Sequence, residues 1–300
     1  VTPLRLGTRG SRLAHAQAAL AAEALRAAGL GPVAIVPIST AGDRDRRSAF
    51  SELGARGVFS KELEDALLAG RIDVAVHSAK DLTTDETPGL ALAAVLPRAD
   101  ARDAWCGPHA SLAEVPLGAR VGTASMRRGA QLGALRPDLR VESLRGNVDT
   151  RLRKRAERGL DGVVLAACGL DRLELAHEIG FRVEVDEMLP ETGQGFLALQ
   201  VRSEDADAVA AVGDITGATV LQAERACAAL LGGGCRAPVA TYAVASDGGE
   251  LWLRAWLALP DGSLVVEAEG RGHDPVALAE DVATAALGRG GEAIVEAVRA

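Results

Sequence analysis

Cys235 stands in the stretch Leu230-Leu231-Gly232-Gly233-Gly234-Cys235-Arg236-Ala237-Pro238, where an apolar helical pattern ends in three glycines and a proline prevents its resumption. A thiol on so short a glycine-hinged loop has little to bury itself in, and Arg236 beside it favours the thiolate. Cys235 is therefore a candidate for covalent chemistry. Cys106, Cys168 and Cys227 fall in apolar or alanine-rich segments and read as core thiols. Lys80-Asp81 follows a short apolar run at 72–76 and is the best acid/base candidate. An aspartate beside cations stays ionised, stabilises positive charge developing on a substrate, and relays a proton. The plainer reading of the pair is a surface ion pair or a helix cap.

Arg9, Arg127, Arg128, Arg145 and Arg151 occupy Gly/Ser-containing turns at the ends of predicted strands, where guanidinium groups grip carboxylates or phosphates bidentately. Ser11, Thr123 and Ser125 add hydroxyl donors in the same turns. Arg153, Lys154, Arg155 and Arg158 read instead as a solvated helix face. Gln194, in the tight turn Gly193-Gln194-Gly195, is either a further donor or part of a hinge.

Around these residues the composition is that of an ordinary globular protein, 48% hydrophobic and 25% charged. A net charge of −8 and 3% aromatic residues argue against general nucleic-acid binding. That average conceals residues 120–158, whose eleven Lys/Arg against four Asp/Glu give a local +7 and leave −15 for the remainder. Lys61, Lys80 and Lys154 are the three lysines of the chain, so the positive charge is nearly all arginine. No CxxC, HExxH, P-loop or GxGxxG pattern occurs, so no metal site, disulfide framework or nucleotide site is indicated. No apolar run reaches the length of a membrane span and the N-terminus does not read as a signal peptide; the expected location is the cytoplasm.

Positioning these residues requires alternating strands and helices. The pattern predicts a strand at 4–6, a turn at 7–11, and a helix capped by Ser11 with Leu13, Ala16, Leu20 and Ala24 inward. A strand at 33–38, a mobile polar loop at 40–57, a helix opened by Ser60 with Leu63, Ala66 and Leu67 inward, and a strand at 72–76 follow. The alternation restarts with strands at 120–121, 141–144 and 161–167 and helices after Ser125 and Gly146. Gly7-Thr8 and Gly122-Thr123 each precede arginine, serine and a helix, a weak internal repeat. Two parallel α/β halves are predicted, with the polar turns at the carboxyl ends of the strands facing an anion-binding cleft. Beyond about residue 217 the pattern becomes one helix leading to Cys235, strands at 240–245, 251–257 and 264–269, and helices at 275–287 and 292–298.

Six segments together carry a resemblance. They are Gly7-Thr8-Arg9-Gly10-Ser11, Val76-His77-Ser78-Ala79-Lys80-Asp81, Gly122-Thr123-Ala124-Ser125-Met126-Arg127-Arg128, Leu144-Arg145-Gly146-Asn147-Val148-Asp149-Thr150-Arg151, Leu189-Pro190-Glu191-Thr192-Gly193-Gln194-Gly195 and Gly233-Gly234-Cys235. In this order they resemble the porphobilinogen deaminase (hydroxymethylbilane synthase) family over essentially the whole chain. The resemblance implies an α/β plus α+β fold, with two periplasmic-binding-protein-like α/β domains around a cleft and a smaller C-terminal α+β domain. Domain 1 would be 1–97 with 196–214, domain 2 101–191, and domain 3 217–300. It implies that Cys235 forms a thioether to a dipyrromethane cofactor assembled by the enzyme itself, with Lys80, Thr123, Ser125, Arg127, Arg128 and Gln194 around it. Asp81 would be catalytic. It would assist loss of ammonia from porphobilinogen, stabilise the azafulvene cation and help deprotonate the coupled pyrrole. Arg9, Ser11, Arg145 and Arg151 would bind the substrate's acetate and propionate. Four units would join head to tail and water would release hydroxymethylbilane for tetrapyrrole (haem, chlorophyll or cobalamin) biosynthesis. No metal and no membrane are expected from the residues, and a monomer is expected because no large apolar patch can be singled out; hand-off of the product to uroporphyrinogen-III synthase is a further expectation. In one loop the chain departs from the family, with Arg47-Ser48-Ala49 and Gly54-Ala55-Arg56-Gly57 where Asp-Pro-Leu and Gly-Gly-Lys-Gly are common. Arg47 and Arg56 are therefore not among the site residues.

Two other classes compete. A solute receptor of the anion-binding type also has two α/β halves around arginines, but not a third domain presenting a thiol. A cysteine-nucleophile acyl or phosphoryl transferase needs a base, and no histidine lies near Cys235 in sequence.

Overall fold

The computed structural model describes residues 2–39, 60–83, 87–232 and 238–299; the loop expected at 40–57 with Arg47 and Arg56, and the Cys235-Arg236 segment, lie outside the described residues. In chain order the first elements are β1 (Leu4–Arg9), α1 (Arg12–Ala27), β2 (Val33–Ile38), α2 (Lys61–Leu68), β3 (Val74–Ser78) and β4 (Leu90–Val95). Then come β5 (Asp103–Cys106), β6 (Arg120–Thr123), α3 (Met126–Leu135), β7 (Arg140–Ser143), α4 (Val148–Arg158), β8 (Gly162–Ala166), α5 (Ala167–Arg172) and β9 (Phe181–Arg182). The chain ends with β10 (Leu197–Arg202), α6 (Ala206–Ala210), α7 (Ile215–Leu230), β11 (Val239–Ala245), β12 (Leu251–Ala258), β13 (Val265–Gly272), α8 (Pro275–Ala286) and α9 (Glu292–Arg299).

Two compact units result, Val1–Ala99 with Gly195–Thr219, and Asp100–Gln194 with Val220–Ala300. The first holds a five-stranded sheet of order β2-β1-β3-β10-β4. β1 is parallel to β2 and β3, whereas β10 is antiparallel to both its neighbours. The sheet is thus mixed rather than parallel throughout, because β10 enters after the second five-stranded sheet and not through a helical crossover. β1 also runs on to Arg9, since Gly7, Thr8 and Arg9 pair with Val36, Pro37 and Ile38. The predicted turn therefore begins only at Gly10.

Ser11 caps α1 as its sequence predicts, its hydroxyl accepting from the Ala14 N–H at 3.2 Å. The buried stripe of α1 is Ala14, Gln17, Ala18, Ala21, Ala22 and Leu25, one position on from the stripe expected, and Leu20 is 44% exposed. In so alanine-rich a helix the small residues face inward, letting the backbone lie close over Leu6, Val33 and Val74. α2 buries Leu63, Ala66 and Leu67, the predicted face, against Ile72, Ala75 and Leu90.

In the second unit the five-stranded sheet has order β7-β6-β8-β5-β9, with β5 antiparallel to β8 and β9. The weak repeat of the sequence becomes a shared hydrogen-bonding frame. The Arg5 N–H donates to Asp73 Oδ2 at 2.9 Å and the Arg120 N–H to Asp161 Oδ2 at 2.7 Å. Each aspartate's own N–H returns to the arginine carbonyl, at 2.9 and 3.0 Å. The same register follows in both sheets, Gly7 opposite Ala75 and Gly122 opposite Val163. The same unit holds the antiparallel sheet β11-β12-β13, which rests one face on α8 and, through Ala240, Trp256 and Ala258, the other on Ala130 and Leu189.

Gly162 on β8 lies directly beneath the fully buried Trp105, and a Cβ there would overlap the indole ring. Gly162→Ala is expected to lower unfolding free energy by about 2–3 kcal/mol. The check is a lower urea midpoint at an unchanged slope.

Candidate active site

β3 ends at Ser78, and one 3₁₀ turn, Ala79–Asp81, carries the chain away from the sheet. The Ala79 N–H bonded to the Phe196 carbonyl at 3.1 Å, and the Leu82 N–H to the Ala79 carbonyl at 3.2 Å, fix that turn. Lys80 and Asp81, both half-buried, thereby stand at the carboxyl end of β3. Asp81 lines a pocket with Arg9, Ser11, Gln17, Ser60 and His77. Arg9 and Ser11 reach it from the neighbouring carboxyl end of β1 and the start of α1. The structure thus brings Arg9, Ser11 and Asp81 to one pocket with Lys80 beside it.

Four polar residues here, Gln17, Ser78, His77 and Gln200, were not singled out from the sequence as functional. Gln17 Nε2 donates to Ser78 Oγ at 2.8 Å. His77 is bonded through Nε2 to Gln200 Oε1 at 3.0 Å, so the ring carries its proton on Nε2 and donates. Burial pushes the His77 pKa down to about 4, against the Gln200 bond and with help from the Arg9 charge. The imidazole is neutral at pH 7 and leaves Asp81 uncontested by a second cation on that wall. The available signal was Gln17, a polar side chain at a position of α1 whose neighbours in the stripe are all apolar.

In the second unit Arg127 and Arg128 are held in a buried ionic cluster. Ser125 caps α3, accepting from the Arg128 N–H at 3.3 Å, while Thr123 Oγ1 accepts from the Ser125 N–H at 3.2 Å. The first turn of α3 then points Arg127 and Arg128 into the protein, with side chains only 3% and 7% exposed. Arg127 Nη2 lies 2.7 Å from Asp103 Oδ2 and its Nε 3.0 Å from Glu191 Oε2, and Nη1 donates to the Leu189 carbonyl at 2.6 Å. Arg128 contacts Asp103 Oδ1 through Nη2 at 2.7 Å and Nε at 3.0 Å, and donates to the Val164 carbonyl at 3.2 Å. Gln194 Nε2 donates to Asp103 Oδ1 at 2.9 Å and to the Ala101 carbonyl at 2.6 Å. Both turn arginines converge on one carboxylate. The physical reason is Asp103, wholly buried on β5, whose charge demands cations within reach. Burial alone would raise its pKa, but Arg127, Arg128 and Gln194 outweigh that and hold it well below the usual carboxylate range.

Of the two readings of the Gly193-Gln194-Gly195 turn, the structure gives Gln194 a buried donor's place. Glu224 on α7, also wholly buried, accepts from the Gly193 N–H at 2.7 Å and the Ala243 N–H at 2.9 Å, tying this turn to β11. Arg145 is exposed and Arg151 half-buried around the start of α4. Cys235 lies outside the described residues, while Cys106, Cys168 and Cys227 are buried thiols, as their surroundings in the sequence predict. Burial pushes Cys106 and Cys227 up to about 12, which makes them poor nucleophiles.

Two family models match the chain. "Porphobilinogen deaminase, dipyromethane cofactor binding domain" covers residues 4–210, and "Porphobilinogen deaminase, C-terminal domain" covers residues 218–288. A porphobilinogen deaminase of Roseiflexus sp. (strain RS-1) is 44% identical over 298 residues, covering 97% of this chain and 98% of that protein. One from Paracoccus denitrificans (strain Pd 1222) is 45% identical over 296 residues, covering 96% and 94%. Among solved structures, an ABC transporter periplasmic substrate-binding protein from Coxiella burnetii aligns over 68% of this chain and 86% of its own, at 12% identity and a TM-score of 0.43.

Asp103→Leu leaves two buried guanidinium groups facing an apolar side chain, and is expected to cost about 3–5 kcal/mol of stability in denaturant titration. His77 has its folded pKa, about 4, below its ordinary value of 6.5. Its neutral form therefore contributes stability that is fully present above pH 6.5 and is lost as the pH falls toward 4. The expected loss approaches about 3 kcal/mol. Unfolding free energies measured from pH 7 to pH 4 should show that decline, and His77→Gln should flatten it.

Proposed function

The chain belongs to the porphobilinogen deaminase family, and we propose that it condenses four porphobilinogen molecules head to tail on a dipyrromethane held by a thioether to Cys235, releasing ammonia at each step and then hydroxymethylbilane by hydrolysis. The observation that carries this reading is the pocket in which Asp81 stands between Arg9, Ser11 and a neutral His77. Porphobilinogen is a pyrrole with an acetate, a propionate and an aminomethyl group. Its site must offer cations to the carboxylates and one carboxylate to the ring N–H and to the charge that develops as the amine departs. Arg9 and Asp81 supply both kinds of group from adjoining strand ends.

In this reading Asp81 accepts the pyrrole N–H and stabilises the positive charge that grows while the carbon–nitrogen bond breaks and ammonia leaves. It then takes the proton lost from the ring carbon that forms the new carbon–carbon bond. Ser11 keeps its hydroxyl hydrogen for a substrate carboxylate, because its oxygen is already the acceptor in the α1 cap. Arg145 and Arg151 bind further carboxylates.

A dipyrromethane supplies the pyrrole carbon on which the chain grows. Its carboxylates and two ring N–H groups suit the donors and the acceptor present: Lys80 and the hydroxyls of Thr123 and Ser125 for the carboxylates, Asp81 for the N–H groups. Arg127, Arg128 and Gln194 serve it as the ionic base under the start of α3 that carries Thr123 and Ser125. Three domains are proposed, 1–97 with 196–214, 101–191 and 217–300; the break between the two family models, at 210 and 218, supports the last boundary. We place the protein in the cytoplasm as a monomer that passes its product to uroporphyrinogen-III synthase. No described helix is long and apolar enough to cross a membrane.

Intact-mass measurement with peptide mapping tests the proposal. The purified protein is expected to carry a dipyrrole on Cys235, and Cys235→Ser to carry none and to be inactive. Asp81→Asn should keep the added mass while kcat falls about 10²–10⁴-fold. A wild-type protein that neither carries the dipyrrole nor gains it on incubation with porphobilinogen would overturn the assignment and leave the solute-receptor reading.

A further inference from the structure

Lys154 and Arg158, which the sequence assigns to a solvated face, continue a stripe that starts with Arg151. The three stand at i, i+3 and i+7 of α4 and share one side of the helix. Each turns back on the segment that precedes the helix. Arg151 Nε donates to the Gly146 carbonyl at 2.7 Å, Lys154 Nζ to the Arg145 carbonyl at 3.0 Å, and Arg158 Nη1 to the Ser143 carbonyl at 3.4 Å. Arg153, on a different side, instead pairs with Glu157 at 3.1 Å, and both of these side chains are more than half exposed.

The segment so held has a particular backbone. Gly146 has φ +124, and a Cβ there would press on the Thr150 side chain. No helix cap from the Asn147 side chain secures the entry to α4. The carbonyls at 143, 145 and 146 are thus anchored by cations of the helix that follows. The bond from Lys154 is charge-assisted and lies at the surface, with the Lys154 side chain half-buried. Fixing the Arg145 carbonyl fixes the plane of its peptide, and with it the direction in which the Arg145 side chain leaves the segment.

We propose that Lys154 is a positioning residue for substrate binding, acting through the Arg145 backbone and not on the substrate. The inference rests on the assignment of Arg145 to a substrate carboxylate. Steady-state kinetics on the full-length holoenzyme, with porphobilinogen as substrate and the dipyrrole mass confirmed for every variant, separate the two. Arg145→Gln should raise KM, and Lys154→Met should raise it about five- to tenfold with kcat within about twofold of wild type. Lys154→Arg, which keeps a cationic donor, should recover most of the loss, and Arg153→Met should change neither constant. In the Arg145→Gln background, Lys154→Met should add less than about a twofold further change, since the side chain it orients is gone.

If Arg145→Gln raises KM while Lys154→Met behaves like Arg153→Met, the positioning role falls and the assignment of Arg145 stands. Full additivity of Lys154→Met and Arg145→Gln also defeats it. If Arg145→Gln leaves KM unchanged, the assignment of Arg145 fails and the inference goes with it. Should Lys154→Met prove unstable, Lys154→Ala carries the same comparison.

Discussion

A single buried carboxylate organises the second unit. Asp103 is wholly enclosed on β5, a strand bounded by two antiparallel neighbours, and an isolated charge there would cost many kcal/mol of lost hydration. Two guanidinium groups and one carboxamide surround it, and Glu191 supplies the second negative charge, so the cluster is neutral as a whole. Because guanidinium geometry is planar and forked, these bonds constrain where their partners lie. α3 must present its first turn to β5, the Leu189 carbonyl must face Arg127, and the turn at 193–195 must place Gln194 beside Asp103. Through Glu224 the same turn is tied to α7 and β11. The cluster therefore specifies positions more than it adds stability.

The first unit solves the same problem by another route. Its buried polar groups are neutral pairs, His77 with Gln200 and Gln17 with Ser78. They demand no counter-ions, and Arg9 and Asp81 line the pocket beside them. The buried polar groups of the two five-stranded sheets thus differ in kind, ionic in the second and neutral in the first.

Much of this was legible in the sequence, for local reasons. Ser11 and Ser125 each announce a helix three residues before the N–H they accept from, and the leucine spacing of α2 marks its buried face. Asp81 is delivered by a short turn after an apolar run and Arg9 is the last residue of β1, so their placement at strand ends follows from neighbouring residues. The inner face of α1 was not legible, because alanine marks either a surface or a close approach and only the sheet beneath decides which. Asp103 was not legible either. In Arg102-Asp103 it looks like one half of a surface pair, and its true partners lie 24, 25 and 91 residues away. Neither β5 nor β10 was read as a strand, and their antiparallel direction is settled by tertiary partners and not by the strand's own residues.

The place of β10 in the first sheet has a consequence for how the chain comes into being. It lies between β3 and β4, yet it is translated after every strand of the second five-stranded sheet. During synthesis β3 and β4 each have one side without their strand partner until residue 202 has emerged, while the second sheet has all its strands once Arg182 has. Unpaired strand edges are where nascent chains meet chaperones or each other. Of the two five-stranded sheets, the one begun first is completed second, so a stall in translation between the two strand sets would strand the half that carries Asp81 in an unfinished state.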